Sequence, residues 1–247
     1  MCKNLSPIPA GSACLDRASK IGGTGPNTSC KIRKRGNGVM DFLPIRKLYH
    51  CNENFPYPEA SIREAVQRFG KLPNTLIEFY QQLGANQEIN QAQTYPCSPA
   101  NLTLESGYLT FYVEDQESMW WAIKQEDLGE DNPAVYACVW KNGEYVYLPE
   151  SDTLEHFLCS MAYCQAMEIL PWNSEGPFSC DAERKSRIEA AYKKKDFGLR
   201  QSPKITFYGN DDDEAIMICE DESCQVSFAC MTEHQFEQIK KVLSIKG

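Results

Sequence analysis

The residues of this chain with the most chemical potential are two runs of carboxylates and a scatter of cysteines. The first run divides between Glu114, Asp115 and Glu117 and, one short segment later, Glu126, Asp127, Glu130 and Asp131. The second is the unbroken Asp211-Asp212-Asp213-Glu214. Carboxylates this close together suit three tasks: holding a hard cation, supporting metal-assisted hydrolysis, or presenting negative charge to a basic partner. The second run lacks the alternating acidic order, broken by glycine, of a calcium loop. No metal site is assigned to either run, and the plainest reading of both is a solvated hairpin turn. The functional reading is partner binding. It takes Glu114, Asp115, Glu117, Glu126, Asp127, Glu130 and Asp131 as the contact set, with Trp120 or Trp121 as the aromatic anchor. Adjacent strand residues point to opposite faces, so one of these indoles belongs to the core and the other is free for contact.

The remaining reactive residues are sparse. The twelve cysteines include no CxxC pair, so the usual zinc-ribbon spacing is absent. They read as reduced thiols acting as small hydrophobes. The exception is Cys219 and Cys224, which flank Glu220-Asp221-Glu222-Ser223 and are placed to meet across a hairpin as a disulfide or metal pair. Three histidines, His50, His156 and His234, lie far apart and read as surface or packing residues. There is no nucleophile elbow, phosphate-cradling glycine loop, dinucleotide fingerprint or zinc-protease helix. No catalytic residue and no cofactor is assigned, and a non-enzyme is expected.

The first acidic run sits within 107–158, dense in aromatic and β-branched residues, which suit half-buried strands. Strands are expected over 108–113, 119–123, 134–140 and 144–148, with a positive-φ turn at Asn142-Gly143. A helix follows, capped by Asp152 with Glu155 completing the box, and Leu154, Phe157, Leu158, Met161 and Ala162 on one apolar face. Upstream, helices are expected over 61–69 and from Pro73 to a left-handed Gly84, with loop from 86 to 100. Downstream, 171–177 reads as a break in which Trp172 anchors to the body. A helix over 181–192, strands over 205–208, 215–219 and 225–230, and a last helix capped by Thr232 complete the pattern.

Composition bounds the rest. The chain has 247 residues, 42% hydrophobic and 24% charged, as in a soluble globular protein. No apolar run approaches the ~20 residues a bilayer span needs, and the N-terminus has no signal-like core, so a cytoplasmic protein is expected. Residues 1–39 hold seven Lys and Arg against one Asp and are rich in Gly, Ser and Pro, which predicts a disordered basic tail. Met40 is a candidate natural start, because the globular pattern begins at Met40-Asp41-Phe42-Leu43. The net charge of −9 overall then leaves −15 on residues 40–247. Such a body repels nucleic acid and draws basic partners.

The order of these motifs resembles the SUKH superfamily. The resemblance is carried by Leu72-Pro73 opening a helix that ends at Leu83-Gly84, and by Gly107-Tyr108-Leu109 with Glu114-x-Gln116 and Trp120-Trp121-Ala122-Ile123. Glu126-Asp127-Leu128, Pro133-Ala134-Val135-Tyr136 and Ser151-Asp152-Thr153-Leu154 before Phe157-Leu158 continue it. It covers about residues 56–170. Glu117 and Ala122 stand where relatives often carry glycine. The resemblance implies an α+β fold, a mainly antiparallel sheet with helices on one face. It also implies no enzymatic activity. It implies an immunity protein that binds and neutralises a cognate toxin domain, often a nuclease or deaminase, as its mostly bacterial members do; a fungal regulator of cell-wall synthesis is also a member. An acidic protein can occupy a cationic cleft built for nucleic acid. The rival readings are a non-catalytic regulatory scaffold and a metal-dependent enzyme using the carboxylates. Neither direct nucleic-acid binding nor a membrane is expected, and oligomeric state is not legible.

Overall fold

The computed structural model describes residues 42–90, 94–116, 119–201 and 203–245. The expected basic tail and the candidate start at Met40 lie outside them. Four helices lead: α1 (Leu43–Leu48), α2 (Glu59–Phe69), α3 (Asn74–Gln82) and the single turn α4 (Gln87–Asn90). The next strands are β1 (Thr94–Pro96), β2 (Thr103–Glu105), β3 (Tyr108–Glu114), β4 (Trp120–Lys124), β5 (Val135–Lys141) and β6 (Glu144–Ser151). Helix α5 (Leu154–Ile169) follows, then β7 (Trp172–Asn173), β8 (Phe178–Ser179) and α6 (Ala182–Ala191). The chain ends with β9 (Lys194–Leu199), β10 (Lys204–Tyr208), β11 (Glu214–Glu220), β12 (Cys224–Cys230) and α7 (Glu233–Leu243).

The fold is α+β, with two antiparallel sheets. Sheet A runs β1-β3-β4-β5-β6, with β2 also on β3. Sheet B runs β7-β12-β11-β10-β9, with β8 also on β12. Each sheet is built on a four-stranded meander that feeds a helix: β3 to β6 into α5, and β9 to β12 into α7. Local chemistry explains much of this. The β5–β6 hairpin turns at Asn142 and Gly143, whose φ of 54° and 90° suit a two-residue turn matched to strand twist. Thr232 caps α7, its hydroxyl oxygen accepting from the Gln235 N–H at 3.3 Å.

Two expected caps are different. Thr153, not Asp152, caps α5, accepting from the His156 N–H at 3.2 Å. Asp152 instead pairs with Arg200 across to sheet B. Gly84 does not take a left-handed conformation; its role is close approach. A Cβ there would sit 2.9 Å from Tyr80 Cα and 3.0 Å from the Tyr57 ring. Residues 86–100, expected as loop, hold α4 and β1, and the break at 171–177 contains β7, where Trp172 packs 5.7 Å from the Phe236 ring.

Helix α5 is the centre of the molecule. Sequence periodicity assigns it one apolar face, yet it is buried nearly all round, as a helix between two layers must be. Phe157 faces sheet A, 5.4 Å from Phe111 and from Tyr112 and 5.6 Å from Trp121. Six residues on, which is about 240° around the helix, Tyr163 faces sheet B. It lies 4.8 Å from Phe197 and 5.5 Å from Phe207. One continuous core therefore runs from sheet A through the helices to the near side of sheet B. The far side of sheet B is covered by α6 and α7, through Ile188, Ile239 and Leu243 packed with Ile216, Ile218, Val226 and Phe228.

Candidate functional site

Helices cover both faces of sheet B and one face of sheet A. The outer face of sheet A carries aromatic side chains that belong to neither core cluster. Strand alternation puts them there. Trp120, Ala122 and Lys124 of β4 pair with Cys138, Tyr136 and Tyr108 on the neighbouring strands. Trp140 and Cys138 of β5 pair with Tyr145 and Tyr147 of β6. Directly paired residues share a face, so Tyr108, Trp120, Tyr136, Trp140, Tyr145 and Tyr147 form one surface.

These rings form a connected platform. Tyr108 stacks on Tyr147 at 3.7 Å with planes only 2° apart. Tyr108 also meets Tyr136 edge-on at 5.7 Å. Trp120 packs at 4.7 Å on Tyr145, which packs at 4.8 Å on Trp140. The Trp120 indole N–H donates to the Tyr147 hydroxyl at 3.5 Å, and the Lys124 ammonium lies 4.9 Å over the Tyr136 ring. Beneath them Cys138 is sealed from solvent, and burial pushes its thiol pKa up. The open end is Trp140, 61% exposed, beside Tyr145, 50% exposed. Large aromatics in contact with one another and with water are the features that binding surfaces share.

The sequence-predicted contact residues divide over this frame. Trp120 lies on the platform. Trp121 is a core residue, 5% exposed, its indole N–H donating to Glu150 Oε2 at 3.1 Å. Glu114 and Asp115 lie at the Trp120 end of β4, and Glu126 and Asp127 at the Lys124 end, about 13 Å away along the strand. The two acidic groups therefore rim opposite ends of the platform. Glu126 reaches back to Lys124 at 3.8 Å, beside a shallow concavity lined by Gly107, Tyr108 and Gln125. Glu130 is exposed beyond the turn. Asp131 belongs to the start of α3: its carbonyl accepts the Thr75 N–H at 3.0 Å and its Oδ1 accepts from Asn74 Nδ2 at 2.5 Å. Glu117 lies outside the described residues. Glu105 and Glu144, on β2 and β6, add exposed carboxylates to the rim.

Trp140, Tyr145, Tyr147, Tyr136 and Tyr108 are the residues that sequence reasoning missed. Their signal was present as alternation. Every second residue of Tyr136-Ala137-Cys138-Val139-Trp140 and of Tyr145-Val146-Tyr147 is outward, and aromatics occupy the face where an exposed sheet carries polar residues.

The other candidates have structural roles. Glu214 is buried, and its Oε1 accepts the Asn210 and Asp211 N–H groups at 2.6 and 3.1 Å. Asp212 pairs with Lys47 at 2.6 Å, and Asp213 with His50 at 3.2 Å and Gln235 at 2.6 Å. The run Asp211–Glu214 thus clasps α1 and α7 to the β10–β11 turn. Cys219 pairs with Gln225, and Cys224 with Glu220, so the two thiols point to opposite faces of sheet B and do not meet. Among the described residues no group of three or more His, Cys, Asp and Glu converges as a metal site, and no helix is long and apolar enough to cross a membrane. Neither family models, curated proteins nor solved structures offer a match to this chain.

Proposed function

We propose that this protein is a non-catalytic binding protein whose outer aromatic face on sheet A receives a cationic protein domain. The observation that carries the reading is the platform of Trp120, Trp140, Tyr145, Tyr147, Tyr136 and Tyr108, which no other element covers among the described residues, rimmed by Glu105, Glu114, Asp115, Glu126, Asp127 and Glu144. Aromatic anchors supply the desolvated centre of an interface, and like-signed rim charges steer an oppositely charged partner. The net charge of residues 40–247 makes that partner basic. Together with the resemblance to toxin-immunity proteins, this supports an immunity protein acting in the cytoplasm, its partner a toxin domain with a cationic, nucleic-acid-directed cleft.

The test is co-expression of the full chain with the toxin domain encoded beside its gene. Growth rescue by the wild type, lost in a W140A/Y145A double variant that stays folded, is the expected result. A neighbouring gene that encodes no toxin, or a double variant that protects as well as wild type, overturns the reading. Charge reversal of Glu126 and Asp127 should slow association and flatten its salt dependence. Capture of regulatory enzymes by the full chain instead would move the assignment to a scaffold.

A further inference from the structure

The thiol chemistry of the chain centres on a pair that sequence proximity does not suggest. Strand β8 pairs antiparallel with β12 through Ser179 with Gln225 and Phe178 with Val226. The next step of that register sets Cys180 opposite Cys224, and the Cys180 N–H donates to the Cys224 carbonyl at 2.9 Å. Directly opposed residues share a face, and a hydrogen-bonded antiparallel pair has Cα atoms about 5.5 Å apart, inside the span a disulfide accepts. The two thiols act electrostatically on one another, and both pack in the cluster under α6 and α7. Cys219, nearer to Cys224 in sequence, is on the other face, towards Cys164 of α5.

We propose that Cys180 and Cys224 form an oxidation-responsive disulfide that staples β8 and the start of α6 to β12. Cys224 is partly exposed and Cys180 is 4% exposed, which assigns their roles. Burial also pushes the Cys180 thiol up to about 11, so it is not the first nucleophile. With hydrogen peroxide as oxidant, the Cys224 thiolate attacks one peroxide oxygen, the O–O bond breaks and hydroxide leaves, giving a sulfenic acid. The Cys180 sulfur then attacks the Cys224 sulfur. The S–S bond forms, the S–O bond breaks, and the departing hydroxide leaves as water with the Cys180 proton. Two thiols and one peroxide yield one disulfide and two waters.

The experiment treats the full chain with hydrogen peroxide and digests it, unreduced, with a Glu-specific protease. Cleavage at Glu168 and Glu175 separates Cys164 from Cys180, and cleavage at Glu220 and Glu222 separates Cys219 from Cys224. The expected product is a Cys180–Cys224 crosslinked fragment pair, retained in C219S and absent in C224S. The closed loop spans 44 positions of sequence, so oxidation is expected to raise Tm by about 5–15 °C in wild type and C219S, and not in C224S. Crosslinks from Cys164 to Cys219 or from Cys224 to Cys230, or sulfinic acid at Cys224 without a crosslink, overturn the assignment. Cys224 being on the hairpin rim, C224S keeps the test independent of any folding defect in a Cys180 variant.

Discussion

Glu150 holds an ionisable group in the interior at the junction of the two sheets. It is 1% exposed, accepts the Arg200 and Gln201 N–H groups at 2.5 and 3.1 Å, and accepts the Trp121 indole. Desolvation by burial raises its pKa above the usual carboxylate range, against the opposing effect of these donors. Because the folded pKa is raised, its contribution to stability is full below the unfolded value of about 4.5 and is lost as pH rises through the folded value. Glu150→Gln removes that titration, so the stability of wild type relative to this variant should fall as pH rises above about 4.5, measured by urea midpoints. Glu150→Ala strands three donors and should cost about 2–4 kcal/mol. Glu220 has the opposite sign. Lys185 at 2.6 Å and Lys204 at 2.9 Å hold it down to about 2, so its contribution is present above about 4.5 and lost as pH falls towards 2. Lys204 is well exposed, and screening limits that contribution to about 1 kcal/mol, which Glu220→Gln should remove from the acid limb.

At the scale of elements, neighbouring residues of β4 have opposite fates. Trp121→Ala opens the core beside Phe157 and removes one of the three donors to Glu150, and should cost about 3–5 kcal/mol. Trp140→Ala and Tyr145→Ala act on an exposed face and should change stability by less than about 1 kcal/mol while abolishing the partner binding proposed for it. Strand β9 depends on Gly198, where any Cβ would collide with the Ile205 carbonyl of β10. Gly198→Ala should cost about 1–3 kcal/mol and speed hydrogen exchange in that strand pair. The same elements show what sequence discloses. The meander of β3 to β6, the Asn142-Gly143 turn and the Thr232 cap were legible because each rests on local alternation or local hydrogen bonding. Strand β9 was not, since Lys194-Lys195-Asp196 hides its apolar positions and its pairing to β10 is tertiary. The acidic contact set was read from proximity in sequence. The structure sets Glu114 and Asp115 at one end of β4 and Glu126 and Asp127 at the other, gives Asp131 to α3, and leaves the outward phase of β5 and β6 to mark the aromatic centre between the two ends.

The whole molecule is organised by α5, whose two sides serve two sheets. Phe157 on one side and Tyr163 on the other leave neither sheet with a complete core of its own. Lys47 with Asp212 and Asp152 with Arg200 tie the halves again at the surface. Unfolding should therefore be one transition, coincident by near-UV and far-UV circular dichroism. A chain ending at residue 170 should keep helical signal, lose near-UV signal and bind ANS, because the Tyr163 side of α5 is then bare. Separate transitions for the two sheets, or a well-packed truncated chain, would contradict this. The same feature sets a schedule for synthesis. Sheet A and α5 emerge from the ribosome first, with one side of the helix still facing solvent. The roughly 75 residues that cover it take about 4–15 s to follow at about 5–20 residues per second. For that interval the nascent chain offers a greasy helical flank to whatever chaperone waits at the exit tunnel, and the last strands of sheet B dismiss it.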